Sequence, residues 1–299
     1  MVALMITRRD AIKAGVAAAA VLTAGPLGAT RVLQPLFPRN GIGTARRYDV
    51  GTSEEERAPL REVLREFVKL GGTLVDTAPS YGNAEAVVGD LVAELEVRDQ
   101  LFLATKVGAG RNGVEAGVAE MKKSLERLRT DHIDLMQVHN LAGVHEMLPV
   151  LRDWKEQGLI RYLGVSTSNA NQYAELAELM RRVELDVIQV DYAIDNRAAE
   201  ETILPLAKER NIDVITNLPF GRGRVFEKFK GREVPQWAQE WGMKTWAQFA
   251  LKFVVSHPAV TAAIPGTAKV EYLRDNYAAE RGPMPDAEMR RKMVALVEA

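Results

Sequence analysis

The chain has 299 residues, room for one α/β barrel of about 250 residues with a short leader in front of it. Its 39 Lys+Arg balance 40 Asp+Glu for a net charge of -1, which excludes a broadly basic surface for nucleic acid or anionic membrane and points to small-molecule partners. With no cysteine, disulfides, thiolate catalysis and cysteine-held metals are excluded; the four histidines, at 132, 139, 145 and 257, show no paired ligand spacing, so no metal site is expected.

Residues 1–29 differ in character from the remainder of the chain. Arg8 and Arg9 precede a weakly apolar, alanine-rich run over 14–24 and a small-residue end at Leu27, Gly28 and Ala29. A charged start, an apolar segment too short to span a bilayer and small residues at its end describe an export signal. The arginine pair resembles a twin-arginine leader, which implies transient contact with the twin-arginine export machinery and a periplasmic or exported protein; a cytoplasmic protein with an amphipathic N-terminal helix is the alternative. The domain then occupies 30–299.

From Gly41 onward, apolar runs of strand length alternate with longer segments of helical period. A short strand at 41–44 leads to a helix capped by Ser53, with Glu56 completing a capping box and Gly71 and Gly72 ending it. Strand 73–76, helix 84–95, strand 101–106, helix 114–129, strand 133–138 and helix 146–157 come next. Strand 162–166, helix 171–182, strand 187–191, helix 199–210, strand 213–216, helix 245–256, strand 261–264 and helix 269–279 complete the series. Eight nearly all-apolar strands, each followed by a helix, predict a parallel sheet closed into a (β/α)₈ TIM barrel. The connection 219–244 breaks the rhythm and is expected over the barrel mouth. A last helix, 286–297, carries Met289, Met293 and Leu296 on one side and is expected to pack across a barrel face. Trp154, Trp237, Trp241 and Trp246 lie in helical surroundings and read as packing residues.

Three strands run apolar and stop on an ionisable residue: LVD at Asp76, FLATK at Lys106 and IDLMQVH at His139. In a barrel these are C-terminal strand ends, where functional side chains gather, and Tyr81 lies in the short loop after Asp76. Each residue alone has an ordinary explanation as a cap, a loop contact or a satisfied core histidine. Lysine, however, is almost never fully buried without a partner. Lys106 beside Tyr81 is expected to lower the phenol pKa, Asp76 to keep the ammonium charged, and His139 to polarise a carbonyl oxygen. Such a site protonates an oxygen on which charge develops, as carbonyl reduction requires, and a hydride source must come from a cofactor.

The stretches LVDTAPSYGNAE, FLATKVG and DLMQVHN resemble the signatures of the aldo-keto reductase superfamily over about residues 41–279. The resemblance implies a (β/α)₈ barrel, NADP(H) as cofactor with NAD(H) left open, a small-molecule carbonyl substrate, and a catalytic set of Asp76, Tyr81, Lys106 and His139 with Tyr81 as proton donor. IRYLGVSTSN and VIQVDY are similar to the segments that hold the nicotinamide carboxamide, which implies Ser166 and Gln189. AAIPGTAKVEYLRDN is similar to the adenosine-end segment, which implies Gly266, Thr267, Lys269 and Asn276. Three departures stand out. Thr167 follows Ser166 where asparagine is usual; Asn217 stands where many members stack an aromatic ring on the nicotinamide; Tyr272 replaces the usual arginine for the 2′-phosphate, leaving Lys269 or Arg274 as candidate cations.

Two other readings compete. GAGRNG at 108–113 fits G-x-G-x-x-G after a strand and before a helix, but the next strand ends on His139 and not on the acid that a Rossmann-type dehydrogenase needs. A barrel that binds nucleotide without turnover, as a sensing subunit, is the second. Ala78, Pro79, Ala109 and Asn140 imply an open pocket without naming a substrate, and oligomeric state is not encoded legibly.

Overall fold

The computed structural model describes residues 39–110 and 113–299. The expected leader, residues 1–29, lies outside the described residues, as do Arg111 and Asn112 of the glycine-rich loop. Eight strands, β1 (Ile42–Gly43), β2 (Leu74–Asp76), β3 (Phe102–Val107), β4 (Ile133–Val138), β5 (Ile160–Thr167), β6 (Val187–Asp191), β7 (Asp213–Asn217) and β8 (Ala262–Ala263), pair in sequence order and in parallel. Bridges from Asn40 to Ala263 and from Gly43 to Gly266 join the first strand to the last, with Gly41 N–H donating to the Ala263 carbonyl at 2.8 Å. The sheet therefore closes into the expected (β/α)₈ barrel. The glycine-rich loop after β3 belongs to this barrel, and the Rossmann reading falls with it.

Alternation along the strands divides the side chains into two sets. Outward residues such as Val75, Leu103, Met136, Val165, Ile188 and Val214 pack beneath the helices in the large core. Leu74, Phe102, Leu135, Val187, Ile215 and Ala262 form a separate cluster with Tyr162, the apolar filling of the barrel. Two residues further along the same inward rows stand Asp76, Gln137, Gln189 and Asn217, with Lys106 and Ser166 four residues beyond Phe102 and Tyr162. The inner face thus changes from apolar to polar towards the C-terminal strand ends. At the opposite end, short polar side chains satisfy strand N–H groups: Leu103 N donates to Asp134 Oδ2 at 2.9 Å, Leu163 N to Asp186 Oδ2 at 2.9 Å and Val214 N to Thr261 Oγ1 at 3.1 Å.

The outer helices are α1 (Glu54–Lys69), α2 (Ala84–Leu95), α3 (Gly113–Leu128), α4 (Val144–Glu156), α5 (Tyr173–Arg182), α6 (Ile203–Glu209), α9 (Trp246–Val255) and α10 (Val270–Ala278). Ser53 caps α1 by accepting from Glu56 N and donates to Glu56 Oε2 at 2.7 Å. Helix α6 starts four residues later than predicted, because a separate 3₁₀ turn occupies 198–200. The long connection before α9 holds two short helices, α7 (Arg224–Lys228) and α8 (Gln236–Glu240), and its first part reaches over the mouth. Trp154 is buried in the core and Trp246 stacks on Phe229 at 3.9 Å, so packing is the role the structure gives them. Helix α11 (Ala287–Glu298) buries Met289, Met293 and Val297; Leu296 is only half-buried. It docks through Arg290, which bonds Tyr192 Oη at 2.6 Å and Ser256 Oγ at 2.8 Å and lies 4.0 Å from the Phe253 ring centre.

Gly89, mid-way along α2, has no turn to make. A Cβ there would stand 2.1 Å from the Arg127 carbonyl oxygen, so glycine lets α2 and α3 approach. Gly89→Ala is expected to lower stability by about 1–3 kcal/mol through overpacking against backbone, read as a lower denaturant midpoint at an unchanged m-value.

Candidate active site

Asp76 ends β2 and Lys106 is the fifth residue of β3; both point into the barrel and are 2 % and 1 % exposed. Lys106 Nζ donates to Asp76 Oδ1 at 2.6 Å and to the Thr77 carbonyl at 2.9 Å. The other Asp76 oxygen accepts from Gln189 Nε2 at 2.8 Å and from Gln137 Nε2 at 3.4 Å. A buried ion pair survives only when its remaining hydrogen-bonding capacity is met, and here four strands contribute to it. Burial works against the Lys106 ammonium, but Asp76, with Tyr81 adding to it, outweighs that and holds the pKa above the ordinary lysine value.

Tyr81 is carried by a turn in which its N–H bonds the Ala78 carbonyl at 3.0 Å. Gly82 follows with φ +63°, and a Cβ there would lie 2.1 Å from Asp49 Oδ1; the same oxygen accepts from Asn83 N at 2.9 Å. Glycine is required on both counts. Glu85, fully buried in the first turn of α2, ties the loop to its surroundings through Thr105 Oγ1 at 2.5 Å and Arg127 Nε at 2.7 Å. The Tyr81 ring centre is 5.0 Å from Lys106 Nζ and 6.0 Å, edge to face, from the His139 ring. The four predicted residues are thus together.

Burial raises the Tyr81 pKa, and Lys106 only partly pulls it back. The net direction corrects the lowering expected from sequence: the phenol is neutral and keeps its proton. His139 is pushed down to about 4 by burial and then by Lys106, so its imidazole is neutral at pH 7.

A cavity of about 800 Å³ opens above these groups, with Asp76, Tyr81, His139, Ser166, Gln189 and Gly266 in its wall. Lys106 lies beneath it. Thr267, Lys269 and Asn276 stand off the wall, before and within α10. Thr267 Oγ1 donates to the Lys269 carbonyl at 3.3 Å, and the Asn276 carbonyl accepts from Asn40 Nδ2 at 3.1 Å. Both candidate cations for a 2′-phosphate have carboxylate neighbours: Lys269 lies 3.7 Å from Glu271, and Arg274 Nε 2.8 Å from Glu66. Sequence reasoning missed Arg46, Arg47 and Arg222 in the wall, because nothing in their spacing marks a loop as facing a mouth. It also missed Gln137 as an Asp76 partner, for which strand alternation gave a signal. Of the small loop residues, Asn140 reaches the cavity, whereas Ala78 and Ala109 are buried.

Residues 41–293 match the sequence profile of the Aldo/keto reductase family. The chain belongs to that family. Methylglyoxal reductase YeaE of Escherichia coli is 30% identical over 259 residues, covering 85% of this chain and 89% of its own. An NADH-specific methylglyoxal reductase of the same organism is 26% identical, covering 91% and 98%. An aldo/keto reductase from Klebsiella pneumoniae, solved with NADP and acetate, superposes with a TM-score of 0.73 at 27% identity, covering 87% of this chain and 91% of that one.

In this aldo/keto reductase the low His139 pKa has a thermodynamic consequence. The folded protein binds the imidazole proton less well than the unfolded chain, so His139 favours folding fully above its ordinary pKa of 6.5, and this contribution is lost as pH falls towards about 4. Between those values the wild-type urea midpoint should fall more steeply than that of His139→Gln, and the two pH profiles should run parallel above pH 7.

Proposed function

We propose that the protein is an NADP(H)-dependent reductase of aldehydes and ketones in which Tyr81 donates the proton. The observation that carries this reading is the buried Asp76 and Lys106 pair lying against Tyr81 at the floor of an open cavity. A nicotinamide bound in the cavity would supply the hydride for the carbonyl carbon. A neutral imidazole at His139 donates one N–H to the carbonyl oxygen and fixes its direction. Tyr81, kept protonated by burial, passes its proton to that oxygen as charge develops, and the Lys106 ammonium stabilises the phenolate left behind. In the oxidative direction the same groups run in reverse. Nucleotide binding alone does not need a buried Asp76 and Lys106 pair set against Tyr81, and proton transfer does, which favours turnover over nucleotide sensing.

The residues present fit a nicotinamide dinucleotide. Asn217 Oδ1 is buried in the cavity wall without a hydrogen-bond partner, beside Ser166 and Gln189, and together these offer a carboxamide donors and acceptors at the floor. Asn217 here stands in for the missing asparagine after Ser166. Thr267, Lys269 and Asn276 follow Gly266, the wall residue on that side of the cavity, and we assign them to the adenosine end. Arg274 Nε is bonded to Glu66 at 2.8 Å, whereas the equally exposed Lys269 stands 3.7 Å from Glu271, so Lys269 is the cation freer to turn to a 2′-phosphate.

Tyr81→Phe should reduce turnover by about 10²–10⁴-fold, the usual range for a general acid, with NADPH affinity by fluorescence titration close to that of wild type. Near-normal turnover where chemistry limits the rate would remove Tyr81 from this role.

We further propose that residues 1–29 export the folded, cofactor-loaded enzyme by the twin-arginine route, on the support of Arg8, Arg9 and the modest apolarity of 14–24. Among the described residues no helix is long and apolar enough to cross a membrane. Fractionation of the native host should place a shortened protein in the periplasm, and Arg8→Lys with Arg9→Lys should retain it in the cytoplasm; an unprocessed cytoplasmic wild type refutes export.

A further inference from the structure

The loop after β1 has a composition at odds with its position. Residues Thr44 to Tyr48 form a tight turn in which Arg47 N and Tyr48 N both bond the Thr44 carbonyl at 3.0 Å, and Tyr48 is buried beneath it. Arg46 sits at the crest with φ +60°, a left-handed conformation that a long side chain seldom adopts. The loop is fixed at both ends. On one side Thr44 Oγ1 bonds the Asp76 carbonyl at 3.0 Å; on the other Asp49 holds Asn83, two residues beyond Tyr81. Two arginines are therefore displayed on a rigid turn whose anchors are the neighbours of the proton donor, and both line the cavity.

Their charge has no partner among the described residues. Half of the arginines among the described residues sit against a carboxylate, among them Arg57 with Asp90, Arg129 with Asp90 and Arg274 with Glu66. Among the described residues no ion pair engages Arg46 or Arg47, nor Arg222 across the mouth. The carboxylate nearest in sequence, Asp49, accepts from the Asn83 backbone. Among the described residues the one carboxylate in the cavity wall, Asp76, is already matched by Lys106. On a chain of net charge -1, the mouth is a local concentration of positive charge, which raises the local concentration of an anion and orients it. Opposite, Phe220 and Phe226 contact each other at 5.0 Å between ring centres and give the mouth an apolar wall.

Resting on the reductase reading above, we infer that the enzyme is selective for carbonyl compounds that carry an anionic group, carboxylate or phosphate, which Arg46 and Arg47 hold at the rim while the carbonyl reaches Tyr81 and His139. Arg47 lies against Gly266, where a Cβ would be 3.5 Å from its Cγ, so it borders the cofactor side as well, and the test separates the two uses. The guanidinium plane suits bidentate contact with either anion.

The experiment compares kcat/KM with NADPH for 4-carboxybenzaldehyde against 4-methylbenzaldehyde, and for glyceraldehyde 3-phosphate against glyceraldehyde. The charged member of at least one pair should be preferred by wild type, and the pair concerned says which anion is read. Arg46→Gln with Arg47→Gln should lower that preference about tenfold, the scale of a charge-assisted hydrogen bond. Arg46→Glu with Arg47→Glu should reverse it, and Arg46→Lys with Arg47→Lys should restore part of it. NADPH affinity is titrated for each variant. A ratio that stays flat across the variants overturns the inference, as does a loss confined to NADPH affinity, which assigns the arginines to the cofactor. If wild type turns over none of the four compounds, the reductase reading fails by itself. Calorimetric binding of 4-methylbenzoate to the NADP⁺-bound protein then decides the charge question: weakening about tenfold in the double glutamine variant supports it, and equal binding overturns it.

Discussion

The ion pair between Asp76 and Lys106 is the constraint around which the barrel mouth is organised. An ammonium and a carboxylate taken out of water are unfavourable singly, and a partner left alone in such a place costs about 3–5 kcal/mol. The barrel meets this by closing the inward side chains of β2, β3, β4 and β6 around the pair, with Gln137 and Gln189 donating to the oxygen that Lys106 does not reach. The same requirement explains why the interior changes character along its axis. Below the pair, Leu74, Phe102, Leu135 and Ile215 fill the barrel without polar atoms; above it, the amides and hydroxyls face an open cavity.

Chemistry arises from the effect of the pair on its neighbours. Lys106 lowers the pKa of the nearby Tyr81 phenol, but burial wins, so the phenol rests neutral and the ammonium has its full effect only once the proton has left. His139 is driven neutral by burial and by the ammonium. The result is two uncharged donors and a buried cation, which in the proposed mechanism meet negative charge on a bound oxygen with a proton and negative charge on the phenolate with Lys106.

The rim obeys a different logic from the floor. The floor uses strands, whose positions are set by the sheet. The rim uses the loops after β1 and β7, held by a few contacts such as Asp49 to Asn83 and Arg224 to Asp195 at 2.6 Å. Loops placed in this way exchange side chains without disturbing the barrel, which is how family members share a floor and differ in what they admit. Here the loops bring to the mouth Arg46 and Arg47, which have no ion pair among the described residues, and the strand β7 puts an amide, Asn217, in the wall.

Much of this was legible in the linear sequence for a physical reason. Strands buried on both faces are nearly uniform apolar runs, so an ionisable residue at or beside the end of one is conspicuous, as Asp76, Lys106 and His139 are on three. The rhythm of strand and helix determined the barrel, and the capping residues and glycines marked α1 to within a residue or two. What only the tertiary structure decided depends on distance across the chain. The direction of the Tyr81 pKa needed the balance of burial against Lys106; the role of Gln137 needed the inward rows of β4 and β2, two strands apart, to converge inside the barrel. Arg46 and Arg47 are separated from Tyr81 by a whole βα unit, and in sequence they are two more charges in a polar loop. Only closure of β1 against β8, with the Asp49 anchor to the Tyr81 turn, puts them at the mouth, because a loop's facing is set by the strands that flank it and not by its own residues.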